Sequence, residues 1–424
     1  APGRRLAYSN DGFKIAGVVI EAVSGECADR YVAVHIMRPL HMDVSRARIT
    51  AADRCRAATG YVRTAHHGAS HGLHPRCLAP WVVGASADGS VISSGPDLCA
   101  LVRMFLREGQ TDDGVRLLSP ASWATMRRAH VGVPAGLLGS FGQDAQLGYG
   151  LFSGELDGHR CIWHPGRMPG FSALFLADLD ERLGVVVLAN GEAHIEQIAL
   201  HALRAVRTAR HGQAPPGLPV VDPCVCDAPE AFAGRFIAGD PETLPREVDL
   251  RSEDVYVTLA ADGERVRLEP SRFARDAFLV PLPEWERYLL RVQRDADRLP
   301  VVLTHGSRWW KRATEHDVAA VLPAPPAAPM SVAADSVQGR YSSHNRFFPC
   351  LDVFARRGAL LLAMPGPLGR ESPLVEIGDG VFRVGEEDWH PERLVFDAFI
   401  DGRPTRARLD FEIYYREECD GPLC

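Results

Sequence analysis

The chain is short of lysine, of long apolar runs and of basic surplus. Only Lys14 and Lys311 stand among 47 lysines and arginines in 424 residues, so a catalytic amine has almost no candidates. The arginine bias itself reads as base composition rather than function. No apolar run approaches the ~20 residues that a membrane-crossing helix needs. The formal net charge is −7 and no basic stripe is visible, so nucleic acid is not an expected partner. No signal-peptide pattern stands at the start, although the chain begins at Ala1 and any leader would lie in a missing segment. The ten cysteines show no small-domain disulfide spacing. Cys224 and Cys226 are too close to bridge comfortably, and Cys419 with Cys424 is the one suggestive pair. Scattered thiols lean towards a reducing, cytoplasmic compartment.

Ordinary globular composition is what is there, and this length suggests two or three domains. Asn10 or Asp11 can cap a helix through Ser24, with Ile15, Val19, Ile20 and Val23 on one side and Gly25 as the stop. A second helix is expected over 29–37, ending before Pro39. Ser94-Gly95-Pro96-Asp97 reads as a capping box. Ser119-Pro120 opens another helix, with proline at its favoured first position. Runs at 147–152, 160–163, 171–177 and 184–189 read as strands, and 194–210 as an amphipathic helix. Helices first and an antiparallel meander after them predict an α+β domain over 1–210.

Proline-rich stretches at 211–229 and 321–334 read as linkers. The segments 230–320 and 335–424 resemble one another. Gly234-Arg235-Phe236 corresponds to Gly339-Arg340-Tyr341, residues 255–259 to 360–364, and 278–280 to 382–384. The near-constant offset and the short alternating strands predict two related antiparallel β-barrels or sandwiches.

Tyr8-Ser9-Asn10 and His164-Pro165-Gly166 are short patterns that chance supplies easily. Their surroundings carry the weight. In order along the chain come Arg38-Pro39-Leu40-His41-Met42, Ala58-Thr59-Gly60-Tyr61, the stretch 89–106, Gly148-Tyr149-Gly150-Leu151, and the hairpin from 164–171 to 184–190. This series resembles the serine β-lactamase and penicillin-binding-protein family after its first motif, over nearly all of 1–205. His41 stands where that family has glycine in its P-L-G-M segment. The histidine of the third motif and two trailing β-domains resemble the D-aminopeptidase branch, in which a loop of the second barrel reaches the active site. By that resemblance a loop within 335–418 would limit substrate size. The implied fold is α+β: an incomplete β-lactamase-like domain, helical region plus antiparallel sheet, followed by two small antiparallel β-barrel domains.

The resemblance implies acyl-transfer chemistry on a small amide, peptide or ester. Such chemistry needs a nucleophile, a proton acceptor and donors for the oxyanion. In that family a Ser-x-x-Lys motif supplies the nucleophile and its lysine. Carried over, Tyr8 is the acid/base tyrosine and Asn10 the substrate-binding amide. His164 replaces a Lys or Arg, Gly166 is the close-approach glycine, and the backbone N–H of Arg167 is an oxyanion donor. No Ser-x-x-Lys occurs in the sequence. Tyrosine titrates near 10 and acts as a base at neutral pH only beside a cation, so Tyr8 is expected to stay protonated without that lysine. No cofactor and no metal are expected.

Other residues have blander readings. His71-x-x-His74-x-x-Cys77, with His66 and His67 nearby, could hold zinc, but the rest of the ligand spacing is missing and a surface loop near the cleft mouth is preferred. Lys14 reads as a solvated helix lysine rather than a substitute base, and Trp309-Trp310 as barrel core or rim. His164 could simply be a satisfied strand histidine.

The resemblance also implies that a preceding segment, two strands and the Ser-x-x-Lys helix, is missing. Residues 185–188 would then form a bare apolar edge, and 1–210 would not be stable alone. Three functions stay open: a fragment of an active hydrolase most like a D-aminopeptidase, an inactive protein binding through its β-domains, or a chain completed by a separately encoded piece. The expected partners are a small-molecule substrate and either the missing segment or a second copy of the chain as a homodimer.

Overall fold

Ser9, not Asn10 or Asp11, starts the first helix. Its hydroxyl accepts from the Gly12 N–H at 3.1 Å, which satisfies one of the four orphan donors at a helix start. The computed structural model describes residues 6, 8–63, 76–84, 86–133, 145–191, 193, 195–218, 222–271, 274–314, 333–345, 348–364 and 370–417. Helix α1 (Asn10–Ser24) ends at Gly25, whose φ of 73° is a left-handed cap. Helix α2 (Ala28–Val32) continues as a wider turn over Ala33–Met37. Ser94 caps α3 (Gly95–Leu106) by accepting from the Asp97 N–H, and Ser119 caps α4 (Pro120–Arg127) with proline at the first position. The Ser94 and Ser119 caps and the Gly25 stop are those the sequence predicts, whereas α2 has no side-chain cap.

The chain divides into two compact units, one of Ala1–Val62 with Cys77–Pro219 and one of Arg63–Arg76 with Val220–Cys424. Two short strands, β1 (Tyr61–Arg63) and β2 (Arg76–Leu78), flank the histidine-rich stretch. His66, His67, His71 and His74 of the zinc reading lie outside the described residues, as do the prolines of 323–329 and the pair Cys419 and Cys424.

In the first unit, six antiparallel strands follow one another in space as in sequence. They are β3 (Val131–Gly132), β4 (Gln146–Leu147), β5 (Phe152–Leu156), β6 (His159–Met168), β7 (Phe171–Asp178) and β8 (Leu183–Ala189). The strand expected over 147–152 is therefore two strands, parted at Gly150, whose φ of 75° makes the turn. β6 also runs five residues beyond the expected end at Trp163. Side chains alternate across a strand. Trp163, Leu174 and Leu176 face Ile195, Ala199 and Leu203 of helix α5 (Ile195–Arg210). Ile162 and Ala177 face Val102, Phe105 and Trp123 of α3 and α4 on the other side. Both faces are covered, and among the described residues β3 and β8 are the edge strands. Arg207 of α5 is buried against Asp178 at 2.6 Å, and Asp178 also accepts the N–H groups of Asp180 and Glu181. That pairing lets a carboxylate sit in the core.

The second unit holds two strand systems. Nine strands from β9 (Gly234–Ala238) to β17 (Arg308–Arg312) form one sheet in which first and last pair. Its edges, β12 (Glu264–Arg267) and β13 (Glu269–Pro270), are consecutive in the chain, so the ring is nearly closed through Leu268. Eight strands from β18 (Gly339–Ser342) to β25 (Glu412–Arg416) form a closed barrel. Phe236 and Tyr341, and likewise Phe278 and Phe382, take equivalent places in the two cores, as the repeat predicts. Trp310 is fully buried and donates through Nε1 to the Pro245 carbonyl at 2.7 Å; the tryptophan pair is core. Cys224 and Cys226 are both buried.

His305 is buried in the first barrel, donating Nε2–H to the Trp285 carbonyl at 3.0 Å and accepting from Arg308 on Nδ1 at 2.6 Å. Burial, aided by the Arg308 charge, pushes its pKa down to about 3. The unfolded chain takes up this proton first, near 6.5, so stability is full above that pH and falls as pH drops towards 3. Between pH 7 and 5 the loss from this one group is about 2 kcal/mol. Replacing His305 with Phe should flatten that slope in denaturant melts of the barrel unit; an unchanged slope would refute the assignment.

Candidate active site

The backbone of β6 sorts its residues by parity. The Leu179 N–H donates to the Arg160 carbonyl at 2.9 Å, so even-numbered residues turn their backbone groups towards β7. The register then runs unbroken from Cys161↔Asp178 to Met168↔Phe171. Odd-numbered residues therefore turn theirs towards the β5 side. There the described ladder ends at Phe152↔Trp163. The N–H of Arg167 points to that side. Pro165 shares its parity, so the missing N–H of the proline takes nothing from the β7 ladder.

Side chains follow the same alternation. Arg167 lies on the α5 face, where its guanidinium donates to Glu196 at 2.9 Å, and Glu196 is buried. His164 and Gly166 lie on the opposite face with the helical region. A Cβ built on Gly166 would meet nothing nearer than Ala173 Cβ at 3.5 Å, which is ordinary contact. The chain's own packing therefore does not demand glycine at 166. Gly170 is different: it turns the β6–β7 hairpin at φ 79°, and a side chain there would run into Ala79.

His164 Nδ1 lies 2.6 Å from the Pro165 carbonyl. A carbonyl only accepts, so Nδ1 carries the hydrogen and Nε2 keeps its lone pair. Burial lowers the His164 pKa, with the Pro165 carbonyl pulling weakly the other way. The ring is thus neutral at neutral pH, unlike the lysine or arginine it replaces.

Tyr8 and Asn10 come from the start of α1. Tyr8 is 41% exposed, and its pKa is raised, first by partial burial and then by Asp88. The phenol is therefore protonated at neutral pH. Lys14 pairs with Asp11 at 2.9 Å, which agrees with a solvated helix lysine. The Phe13 ring approaches Gly150 to 4.0 Å of where a Cβ would stand. Two residues on, the Phe152 ring lies 5.5 Å from that of His164. Asp88, Glu196 and the Phe13–Gly150–Phe152 series carried no sequence signal, because their partners are distant in sequence. A cavity of about 260 Å³ lined by Leu40, His41, Asp97 and Arg103, among others, shares no residue with either motif.

The β-lactamase family profile matches residues 1–209. Residues 1–209 form a domain of the β-lactamase family. The fold is of serine-hydrolase kind. Penicillin-binding protein 4 of Amycolatopsis lactamdurans is 28% identical over 134 residues, covering 31% of this chain and 34% of that protein. A D-aminopeptidase of Cereibacter sphaeroides is 25% identical over 310 residues, covering 71% of this chain and 53% of that protein. The chain thus spans about a third to a half of these relatives. Among solved structures, the octameric penicillin-binding protein homologue from Pyrococcus abyssi aligns with a TM-score of 0.46 at 20% identity, covering 73% of this chain and 65% of that one. No helix among the described residues is long and apolar enough to cross a membrane.

The tautomer of the β-lactamase-domain histidine is directly measurable. Nitrogen chemical shifts of His164 at pH 6.5 should show a neutral ring protonated on Nδ1. A ring mostly charged at that pH would contradict the placement.

Proposed function

We propose that the β-lactamase-family domain supplies the acid/base and oxyanion side of an acyl-transfer site. Tyr8 carries the proton, Asn10 holds the substrate amide, and the Arg167 N–H faces the oxyanion. Gly166 leaves room for substrate along β6. The serine nucleophile and its lysine come from polypeptide outside residues 1–424. The substrate is a small amide, peptide or ester, with D-amino-acid amides foremost. The D-aminopeptidase relatives favour that choice.

The single observation that carries this reading is the parity of β6, which aims the Arg167 N–H and the His164–Gly166 face along a stretch paired only with β7 among the described residues. The apolar surface of α1 supports it. Phe13, Ile15, Val18, Val19 and Val23 are all exposed, Val23 to 84%, and an amphipathic helix ordinarily buries that stripe. β8 is likewise an edge strand of apolar sequence, a surface proteins usually cover. A segment carrying Ser-x-x-Lys would cover both. A second reading, an inactive interaction protein built on its barrels, draws on the absence of Ser-x-x-Lys from all 424 residues. In either case 211–229 and 321–334 act as linkers around the barrel segments.

A preparation that joins this chain to the Ser-x-x-Lys segment should hydrolyse D-alaninamide faster than a chromogenic cephalosporin or a short p-nitrophenyl ester. Tyr8→Phe should lower its kcat by about 10²–10⁴-fold. Full activity in Tyr8→Phe would overturn the assignment, and no hydrolysis of any of the three would favour the interaction protein.

A further inference from the structure

The two barrels of the second unit meet through charged side chains as well as through an apolar contact, in which Tyr288 packs on Phe354, Leu361 and Ala363. Tyr288 donates to Asp352 at 2.9 Å, and Arg340 pairs with the same carboxylate at 2.8 Å. A second cluster lies beside β15 (Leu290–Arg294) and β16 (Pro300–His305). There Glu371 of the second barrel faces two arginines, Arg356 at 3.0 Å and Arg291 at 3.8 Å. Arg356 also donates to the Gly306 carbonyl at 2.8 Å. One carboxylate therefore stands between two guanidiniums. Burial, and next the neighbouring charges, act on Arg291, and its pKa is lowered.

The polar atoms around this cluster are incompletely matched. Arg356 Nε, Thr304 Oγ1 and Gln293 Oε1 are buried with no hydrogen-bond partner among the described residues. They belong to one patch. Thr304 lies directly opposite Arg291 in the β15–β16 ladder, and Gln293 follows Arg291 on the same face. The Arg356 side chain is only 4% exposed, and Thr304 is wholly buried. Buried donors are almost always satisfied, so a concentration of exceptions marks a place where something binds. An amide such as Gln293 can turn over to present its NH₂ group, which makes all three groups donors.

We propose that a small inorganic anion of chloride size binds in this seam between the barrels. Arg356 Nε, the Thr304 hydroxyl and the Gln293 amide hold it, and Arg291 flanks it. Charge favours an anion over water: a water satisfies hydrogen bonds but leaves, among the described residues, two guanidiniums beside one carboxylate. Closure of the patch excludes a ligand with an organic body, and the donor set excludes a metal cation. The anion completes the contact between the barrels.

The test uses the whole chain. Thermal melts in sodium gluconate, with bromide exchanged in at constant ionic strength, should show the Tm of the barrel unit rising and saturating. Thr304→Val keeps the shape and removes one donor; it should fold in gluconate and need about tenfold more bromide for the same effect. A crystal grown in bromide should show its anomalous signal between Arg356 and Thr304. A Tm indifferent to bromide, a Thr304→Val titration equal to that of the parent, or a water in the site without bromine signal would each overturn the proposal. Should Thr304→Val fail to fold, the bromide crystal of the parent decides.

Discussion

The antiparallel register of β6 against β7 is the constraint from which the rest of the candidate site follows. Backbone groups in a strand alternate, so one hydrogen bond, from Leu179 to Arg160, settles the direction of every residue as far as Met168. That direction sends the Arg167 N–H away from β7 while its side chain is tied to Glu196 of α5. The same alternation turns His164 and Gly166 to the helical face. A slip of one residue would exchange these roles throughout. The packing on both faces of the sheet, α5 on one and α3 with α4 on the other, resists such a slip because Trp163 and Ile162 would each lose their core.

Around this strand the domain is chemically one-sided. It holds a protonated tyrosine and a neutral histidine, which can exchange a proton, and oriented backbone N–H groups, which can only donate hydrogen bonds. The lysines do not help: Lys14 is committed to Asp11, and Lys311 belongs to the barrel unit. On the proposed function, the other half of the constellation is carried by polypeptide that also covers α1 and the β8 edge. Burying those surfaces would give the assembly a hydrophobic driving force.

Much of this was legible in the sequence where local chemistry decides. Ser94, Ser119 and Gly25 mark helix boundaries because capping is a short-range competition for backbone groups. The repeat in the barrels was legible because aromatic core positions such as Phe236 and Tyr341 recur with the strand pattern. The full length of β6 was not. The strand expected over 160–163 stops short of Pro165, and only the ladder shows that the proline nitrogen faces away from β7. Ser9, Asn10 and Asp11 are equally good caps by residue type, so the sequence alone does not single out Ser9. The arginine clusters between the barrels were also invisible, since Arg356 and Gly306, or Tyr288 and Asp352, are joined by tertiary structure alone.

The central claim is that residues 1–424 carry the acid/base side of a serine-hydrolase site but not its nucleophile. Intact-mass and peptide mass spectrometry of this chain after treatment with a reactive fluorophosphonate tests it most directly. The account predicts no stoichiometric adduct on any serine of the chain. A single serine labelled to completion, and protected by a D-amino-acid amide, would contradict it.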